Sequence, residues 1–399
     1  MAEPVLPSEP FLPYGRQTIE DDDIAAVSAA LRDDFLTTGP RVEAFEQAFA
    51  QAVGAPHAVA CANGTAALHL AMLGLGVGEG EVCVVPSTTF LATANCVRYV
   101  GAEVVFADVD PQSGLMRPSD LAEALARAAG RRVAAVLPVH LRGDVVDLPA
   151  IARLAEAAGA VVVEDACHAL GSEHLGSVQS GEGRARPVGC GELSAAATFS
   201  FHPVKTIATG EGGMITTADP ELAERMRRFR SHGMVRPEGG EPWWYEMAEP
   251  GFNYRLPDVL CALGQSQLAK LPRFAARRRA LAARYAEQLS ALAPQVVPAA
   301  SPQGSRPVPH LMSVLIDFDA LGLTRHAVVE ALKAKGIGSQ VHYIPVHSQP
   351  YYRERYGDQR LPGAEAWYAR TLSLPLYPAM ADNDVDRVVD ALKAALQTA

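Results

Sequence analysis

The sequence of 399 residues contains no apolar run near the ~20 residues that a membrane-spanning helix needs. Its first thirteen residues combine acids with prolines and lack the basic start and apolar core of a signal peptide. We therefore expect neither a leader nor a membrane partner. None of the six cysteines forms a C-x-x-C pair, which argues against a zinc knuckle or a redox pair, and we expect no metal. Free thiols in a reducing cytoplasm are the simplest interpretation.

Basic residues are in the minority. Lys and Arg number 35 against 45 Asp and Glu, so the net charge is −10. Because an acidic chain attracts polyanions poorly, this balance argues against nucleic acid as the main partner. With 49% hydrophobic and 20% charged residues, the composition is that of a globular protein. The length indicates two or three domains.

Short apolar runs alternate with helical patterns through the first two-thirds of the chain. The apolar runs predict strands at Val82–Val85, Val104–Ala107, Val133–Val139, Val161–Val163, Thr198–Phe201 and Met214–Thr216. The helical patterns lie at Ala66–Leu73, Leu91–Val100, Pro118–Ala129 and Leu148–Ala158. Since strands that are apolar throughout are covered on both faces, this alternation predicts an α/β fold with a mostly parallel sheet. Such sheets bind ligands at the carboxyl ends of their strands.

The pattern of the sequence changes after Leu271. The predicted elements that follow are a basic helix at Arg273–Leu292, a Pro/Ser/Gly-rich stretch at Pro298–Pro309, a strand at Leu311–Phe318, a helix at Arg325–Lys335, a strand at Ser339–Ile344 and a helix at Asn383–Gln397. We therefore predict a large domain over residues 1–271 and a smaller α+β domain over residues 272–399. The glycine-rich, basic segment Gly176–Gly191 predicts a surface loop, with a phosphate site as the alternative.

Three motifs place polar residues where such a sheet binds ligands. In Cys61–Leu68 a glycine turn opens a helix, whose first N–H groups suit a phosphate; the alternative is an ordinary cap made by Thr65. Glu164 and Asp165 end an apolar strand, where one of them can hold a cationic ligand group or both can be solvated. Lys205 follows the next buried strand. Partial desolvation there would make its amine a nucleophile towards aldehydes, and the alternative is a solvated lysine.

Together the three motifs contain the parts that pyridoxal phosphate needs. The N-terminus of a helix suits the phosphate, a carboxylate keeps the pyridinium nitrogen protonated, and a lysine forms the Schiff base. The order of these parts along an α/β domain, with a small C-terminal domain after them, resembles a fold-type I pyridoxal-phosphate-dependent aminotransferase.

Longer segments resemble the DegT/StrS-type sugar-nucleotide aminotransferases. They are FSFHPVKTIATGEGG at Phe199–Gly213, EDACHALGSE at Glu164–Glu173 and FNYR at Phe252–Arg255. The resemblance extends from Tyr14 to the C-terminus. Within the family, HALGSE, FRSHGM at Phe229–Met234 and QVHYIPVH at Gln340–His347 are most similar to the members of the pseudaminic acid pathway. Those members aminate C4 of a UDP-linked 4-keto-6-deoxy-N-acetylhexosamine.

The resemblance implies a role for each matching residue. Lys205 matches the lysine that binds the cofactor covalently, and Asp165 matches its pyridinium partner. The other implied cofactor contacts are Gly64 and Thr65 at the phosphate turn, Ser200 on the same phosphate, Phe90 stacked on the ring, His168 at the ring oxygen, and Asn253 at the phosphate of the neighbouring subunit's cofactor. The last contact implies a homodimer with shared active sites. Tyr14, His342 and Tyr343 match substrate-contacting segments, with interface or core packing as the alternative.

The implied reaction moves an amino group from L-glutamate to a nucleotide-linked 4-keto-6-deoxy hexose. The alternatives are a dTDP- or GDP-linked 3- or 4-keto sugar, a dehydration on the same scaffold, and a non-catalytic regulatory protein of the same fold. Relatives that dehydrate have histidine where this chain has Lys205, which argues against dehydration. The retained pair of Lys205 and Asp165 argues against a regulatory protein, which would have no chemical need of that pair.

Overall fold

The structure is a computed structural model that describes residues 10–175 and 185–398. The first nine residues of the N-terminal segment and residues 176–184 of the predicted loop Gly176–Gly191 lie outside the described residues. The prediction of a surface loop is wrong for the rest of that segment, because Ala185–Pro187 form a strand and Val188 is 1% exposed. In the described ranges no helix is long and apolar enough to cross a membrane. The same ranges contain no cluster of three or more His, Cys, Asp or Glu side chains that could hold a metal ion.

Seven strands form the central sheet, in the order β1-β9-β8-β5-β4-β2-β3. In chain order the strands of the described residues are β1 His57–Cys61, β2 Glu81–Pro86, β3 Glu103–Ala107, β4 Arg132–Val136, β5 Val161–Asp165, β6 Glu173–Leu175, β7 Ala185–Pro187, β8 Ala196–Ser200, β9 Gly213–Thr217, β10 Met234–Val235, β11 Glu246–Met247, β12 Val296–Pro298, β13 Ser305–Arg306, β14 Met312–Ile316 and β15 Thr371–Leu374. Pairing is parallel from β3 to β8, and β9 is antiparallel to both β8 and β1. The predicted α/β class with a mixed, mostly parallel sheet is confirmed.

Helices cover both faces of this sheet. The helices of the described residues are α1 Asp21–Ala30, α2 Pro40–Val53, α3 Gly64–Leu75, α4 Leu91–Tyr99, α5 Pro118–Arg127, α6 Leu148–Ala157, α7 Pro220–Arg230, α8 Asp258–Ala269, α9 Leu271–Leu289, α10 Phe318–Leu321, α11 Arg325–Ala334, α12 Pro350–Tyr356, α13 Pro362–Arg370 and α14 Asp382–Thr398. In β2, Cys83 and Val85 join one hydrophobic core, whereas Val82 and Val84 join the core on the opposite face. Because successive strand residues point to opposite faces, a strand that is covered twice must be apolar throughout.

The C-terminal part of the chain builds a second core around the sheet β12-β14-β15. Helices α9, α11 and α14 pack against it, and Leu12 of the N-terminal segment joins them. Residues Val346, Tyr352 and Leu361 pack instead into a core of the central sheet. The division into domains at residue 272 stays a prediction.

One predicted strand is wrong. The segment Ser339–Ile344 forms no strand, and its sheet contact is a single bridge between Gln340 and Ser373. In place of a regular ladder, His342 turns to Ser373 while Tyr343 turns to His168. The alternating directions of these side chains are therefore set by tertiary contacts and not by pairing in a sheet.

Candidate active site

A cavity of about 660 Å³ opens at the carboxyl ends of the strands in the central sheet. Ten of the predicted site residues line it: Tyr14, Gly64, Thr65, Phe90, Asp165, His168, Ser200, Lys205, His342 and Tyr343. Seven of them follow or end the strands β1, β2, β5 and β8 of the sheet. Tyr14 comes from the segment before α1, and His342 and Tyr343 come from the segment after α11 and form the facing wall. The volume lies in the range of small-molecule sites, which is typically 300–1,000 Å³.

The start of α3 forms an anion cradle. Asn63, not Thr65, is the cap of this helix, because its side chain accepts from Ala66 N at 2.8 Å. The Asn63 side chain therefore bonds the N–H of Ala66. The N–H groups of Gly64 and Thr65, in the first turn, have no acceptor within the helix. A Cβ on Gly64 would lie 2.9 Å from Ser200 Cβ, so only glycine leaves room between the cradle and the Ser200 side chain.

Asp165 ends β5 with its carboxylate buried beside the cavity. Thr93 donates its hydroxyl to Oδ2 at 2.6 Å, and Cys167 N donates to Oδ1 at 3.2 Å. The preceding acid, Glu164, points to the other face of the strand. There it is also buried, and it bonds His140 Nε2 at 2.9 Å, so neither acid is solvated.

Lys205 follows β8 on a tight turn. Its N–H bonds the carbonyl of His202 at 2.8 Å, and Pro203 occupies the turn position that favours its fixed φ. The side chain is half-buried in the cavity wall. Burial lowers the pKa of the Lys205 amine, and the charges of Cys167 and Asp165 oppose the shift. A lysine in this setting supplies a neutral, nucleophilic amine more readily than a solvated one.

Aromatic and imidazole rings complete the cavity. The Phe90 ring, which is 56% exposed, lies 5.9 Å from the Tyr343 ring between their centroids. Tyr343 Oη lies 3.3 Å from His168 Nε2. His342 is buried, bonds Ser373 Oγ through Nδ1 at 2.9 Å, and lies 5.4 Å from Tyr14 between ring centroids. Burial and the charge of Lys205 lower the pKa of His342 to about 3, so this ring is neutral at physiological pH.

Asn253 is the one predicted site residue that does not line the cavity. It is exposed and forms a backbone bridge with Ser231. Its implied contact with a neighbouring subunit's cofactor stays a prediction.

The buried histidines predict acid-sensitive folding. Burial lowers the pKa of His168, His310 and His342 in the folded chain. Below pH ~6.5 these histidines are protonated in the unfolded chain but stay neutral in the folded chain. Because the unfolded state then binds more protons, the free energy of unfolding falls as pH falls. For His342 the loss extends to about pH 3. The expected slope is ~1.4 kcal/mol per pH unit for each such ring, measured by urea unfolding between pH 7 and 5.

A variant pair isolates one ring in that measurement. His342→Gln should flatten the pH dependence, whereas His326→Gln, at an exposed position on α11, should leave the dependence unchanged. Equal slopes for the wild type and His342→Gln would contradict the assignment.

These residues fit pyridoxal phosphate. Gly64, Thr65 and Ser200 offer donors for the phosphate, and Asp165 offers a buried carboxylate for the ring nitrogen. Lys205 offers the amine for the aldehyde, and the start of α3 at the cavity offers the first-turn donors that suit a phosphate. The fold and the site together define a fold-type I pyridoxal-phosphate enzyme.

Comparison with known proteins identifies the family. The model of the DegT/DnrJ/EryC1/StrS aminotransferase family matches residues 17–393, and the chain belongs to this family. It is therefore a pyridoxal-phosphate-dependent sugar aminotransferase.

Three relatives show how far the similarity extends. The chain is 38% identical over 391 residues to the spore coat polysaccharide biosynthesis protein SpsC of Bacillus subtilis (strain 168), covering 96% of each protein. Helicobacter pylori PseC, an aminotransferase involved in the biosynthesis of pseudoaminic acid, superposes with a TM-score of 0.87 at 28% identity, covering 98% of this chain and 100% of PseC. Streptococcus pneumoniae Spr1654 in its PLP form superposes with a TM-score of 0.86 at 26% identity, covering 97% and 99%.

Sequence reasoning missed two contributors to the site. Thr93, on α4, donates its hydroxyl to the Asp165 carboxylate. The one signal for this role in the sequence is the closeness of Thr93 to Phe90, a predicted site residue. Arg142 donates its backbone N–H to His168 Nδ1 at 3.3 Å. A backbone donor carries no residue identity, so no motif could have revealed that contact.

Proposed function

We propose that this enzyme transfers the amino group of L-glutamate to C4 of a UDP-linked 4-keto-6-deoxy-N-acetylhexosamine. The observation that carries the proposal is the placement of Lys205 and Asp165 on one cavity, facing a wall built by His342 and Tyr343. The family membership supports the reaction, and the likeness to PseC over almost the whole chain supports the sugar.

The residues divide the work of binding between them. Bound pyridoxal phosphate supplies the electron sink that stabilises negative charge on the reacting carbon. The N–H groups of Gly64 and Thr65 and the Ser200 hydroxyl bind its phosphate. The Asp165 carboxylate, oriented by Thr93, holds the proton on the ring nitrogen.

Lys205 is the proton carrier of the reaction. As a neutral amine, Nζ removes the proton from the α-carbon of glutamate. It would pass that proton to the bound cofactor, and in the second half-reaction the same nitrogen would take a proton back from the cofactor and deliver it to C4 of the sugar. Burial lowers the pKa of Lys205, which favours the neutral amine that this task requires.

The facing wall suits a sugar and not a charged group. His342 is neutral at physiological pH because of its lowered pKa. The Tyr14 and Tyr343 hydroxyls also stay protonated, since burial raises the pKa of both. Neutral donors and acceptors of this kind match the hydroxyl and amide groups of an N-acetylhexosamine.

An amination assay tests the substrate. Purified enzyme is incubated with glutamate and a panel of UDP-, dTDP- and GDP-linked keto sugars, and each product is identified by mass. We expect the highest kcat/KM with the UDP-linked 4-keto-N-acetylhexosamine, and bleaching of the yellow cofactor by glutamate alone. A preference for a dTDP- or GDP-linked sugar, or for a 3-keto sugar, would replace the proposed substrate while leaving the aminotransferase assignment intact.

We also propose that the active enzyme is a cytoplasmic homodimer with shared active sites. Exposed apolar side chains support an interface: Phe90 and Leu91 at the cavity are 56% and 39% exposed, and Tyr99 at the far end of α4 is 53% exposed. Asn253 is exposed as well, as a residue that reaches a neighbouring subunit would be.

Mixed dimers test site sharing. Lys205→Ala and Asn253→Ala remove residues that the proposal assigns to different subunits of one site. Mixing the two inactive variants under subunit exchange should restore activity through hybrid dimers that have one intact site. Exchange of Lys205→Ala with itself is the control and should restore none. Hybrid dimers that form without activity would contradict shared sites.

A further inference from the structure

A turn behind the cavity holds an unusual backbone. Arg142 adopts the left-handed conformation with φ of 64°, and Gly143 follows with φ of 94°. A Cβ on Gly143 would collide with the carbonyl oxygen of Val308. The turn therefore needs glycine at its second position, and it presents the N–H of Arg142 to His168 Nδ1 at 3.3 Å.

The Arg142 side chain explains how a non-glycine residue stays in this conformation, which is unfavourable for an L-residue. Its guanidinium is buried and donates to the carbonyls of Ser113 at 3.2 Å and Ala300 at 2.9 Å. It also pairs with Asp144 at 2.9 Å and lies 5.5 Å from the centre of the Trp367 ring. Because the guanidinium is held by these contacts on several sides, it restricts the backbone conformation of Arg142.

The turn has a consequence for His168. A backbone N–H can only donate, so Nδ1 of the neutral ring must accept and the ring proton must be on Nε2. That nitrogen lies 3.3 Å from Tyr343 Oη on the cavity wall. His310 packs on the other side of the ring at 4.3 Å between centroids.

Burial, with the positive charges around it, keeps His168 neutral. Burial lowers the pKa of His168 well below its ordinary range, and the positive charges of Lys205 and of a protonated His342 would lower it further. The adjacent His310, whose ring is tilted against that of His168, is buried too, and its pKa is lowered in the same way. Tyr343 keeps its proton because burial raises its pKa.

We propose that Arg142 is a positioning residue that fixes His168 as a permanently neutral donor, with its proton on Nε2 and directed towards the cavity. The use of that donor on the ring oxygen of the cofactor rests on the proposed function. The assignment of the tautomer does not rest on the proposed function, because it follows from the hydrogen bond that the turn donates to Nδ1.

Nitrogen NMR tests the tautomer directly. The full chain is labelled with ¹⁵N-histidine, and two-bond ¹H–¹⁵N correlations separate rings protonated at Nδ1 from rings protonated at Nε2. His168→Gln identifies the signal of His168 by its loss. We expect the Nε2–H tautomer, unchanged between pH 5 and 8, both with and without pyridoxal phosphate. An Nδ1–H ring, or a ring that titrates in this range, would overturn the proposal even if borohydride trapping places the cofactor on Lys205.

Variants of Arg142 test the positioning role. Arg142→Gly tolerates the left-handed backbone but removes the guanidinium, so we expect His168 to show both tautomers and the affinity for pyridoxal phosphate to fall about two- to tenfold. Arg142→Lys retains a positive charge for Asp144. Its affinity for pyridoxal phosphate and its population of the Nε2–H tautomer should lie between those of Arg142→Gly and the wild type. Arg325→Ala removes another arginine that bonds a carbonyl and packs on rings but does not line the cavity, and should leave the His168 signal unchanged. An unaltered His168 signal in Arg142→Gly would overturn the role of Arg142, and the wild-type measurement decides the tautomer if that variant fails to fold.

Discussion

Replacing Lys205 by alanine is expected to abolish transamination. The variant loses the amine that moves the proton, and a general base of this kind contributes ~10²–10⁴-fold to the rate. It also loses the covalent attachment of the cofactor, so the loss should exceed that range. Single-turnover assays with glutamate, followed by cofactor absorbance, measure the effect.

Two further variants make the test specific. Lys205→Arg retains a cation beside Asp165 but cannot supply a neutral amine, so it should be as inactive as Lys205→Ala. Lys333→Ala, on the exposed face of α11, should retain full activity. Borohydride reduction of the cofactor-loaded wild type, followed by peptide mapping, should label Lys205. A label on another residue, or near-normal turnover in Lys205→Ala, would refute the assignment.

Replacing Asp165 by asparagine is expected to cause the second largest loss. Asparagine has almost the same shape and can still bond Thr93 and the amide of Cys167, but it has no charge to hold the proton on the ring nitrogen. Breaking a buried ion pair costs ~3–5 kcal/mol, so the affinity for pyridoxal phosphate should fall by about 10²–10⁴-fold. Titration of the cofactor-free variant measures this affinity, and kcat at saturating cofactor should be low as well.

The neighbouring acid provides the matched control. Glu164 is also buried at the end of β5, but it bonds His140 and Ser194 on the opposite face. Glu164→Gln should therefore lower the free energy of unfolding and leave the cofactor affinity unchanged. Equal effects of the two substitutions on cofactor affinity would refute the distinct role of Asp165.

The cofactor half of the site could be predicted from the sequence for a physical reason. Asp165, Ser200 and Lys205 follow apolar strands closely, and parallel strands bring their carboxyl ends to one edge of a sheet. The side-chain chemistry then limits each role: a carboxylate suits a cationic ring nitrogen, a hydroxyl suits a phosphate, and an amine suits an aldehyde. The alternation of apolar runs with helical patterns was enough to predict that sheet.

Other features depended on contacts that no local pattern contains. Thr93 reaches Asp165 across 72 residues of sequence. The segment Ser339–Ile344 has the composition of a strand, but its side chains are recruited by the cavity and by Ser373. Helix α2 is different, because Phe45, Phe49 and Val53 recur at helical spacing and are buried. The local sequence therefore contains the signal for this helix.

The cavity has two walls of different origin. The residues that fit the cofactor come from the central sheet and its strand ends, whereas Tyr14, His342 and Tyr343 come from segments on either side of it in the chain. On the roles proposed for these outer segments, exchanges in them would alter which sugar is accepted and leave the proton-transferring residues unchanged. An architecture of this kind lets a lineage of enzymes diversify its carbohydrate products by changing two short stretches of chain.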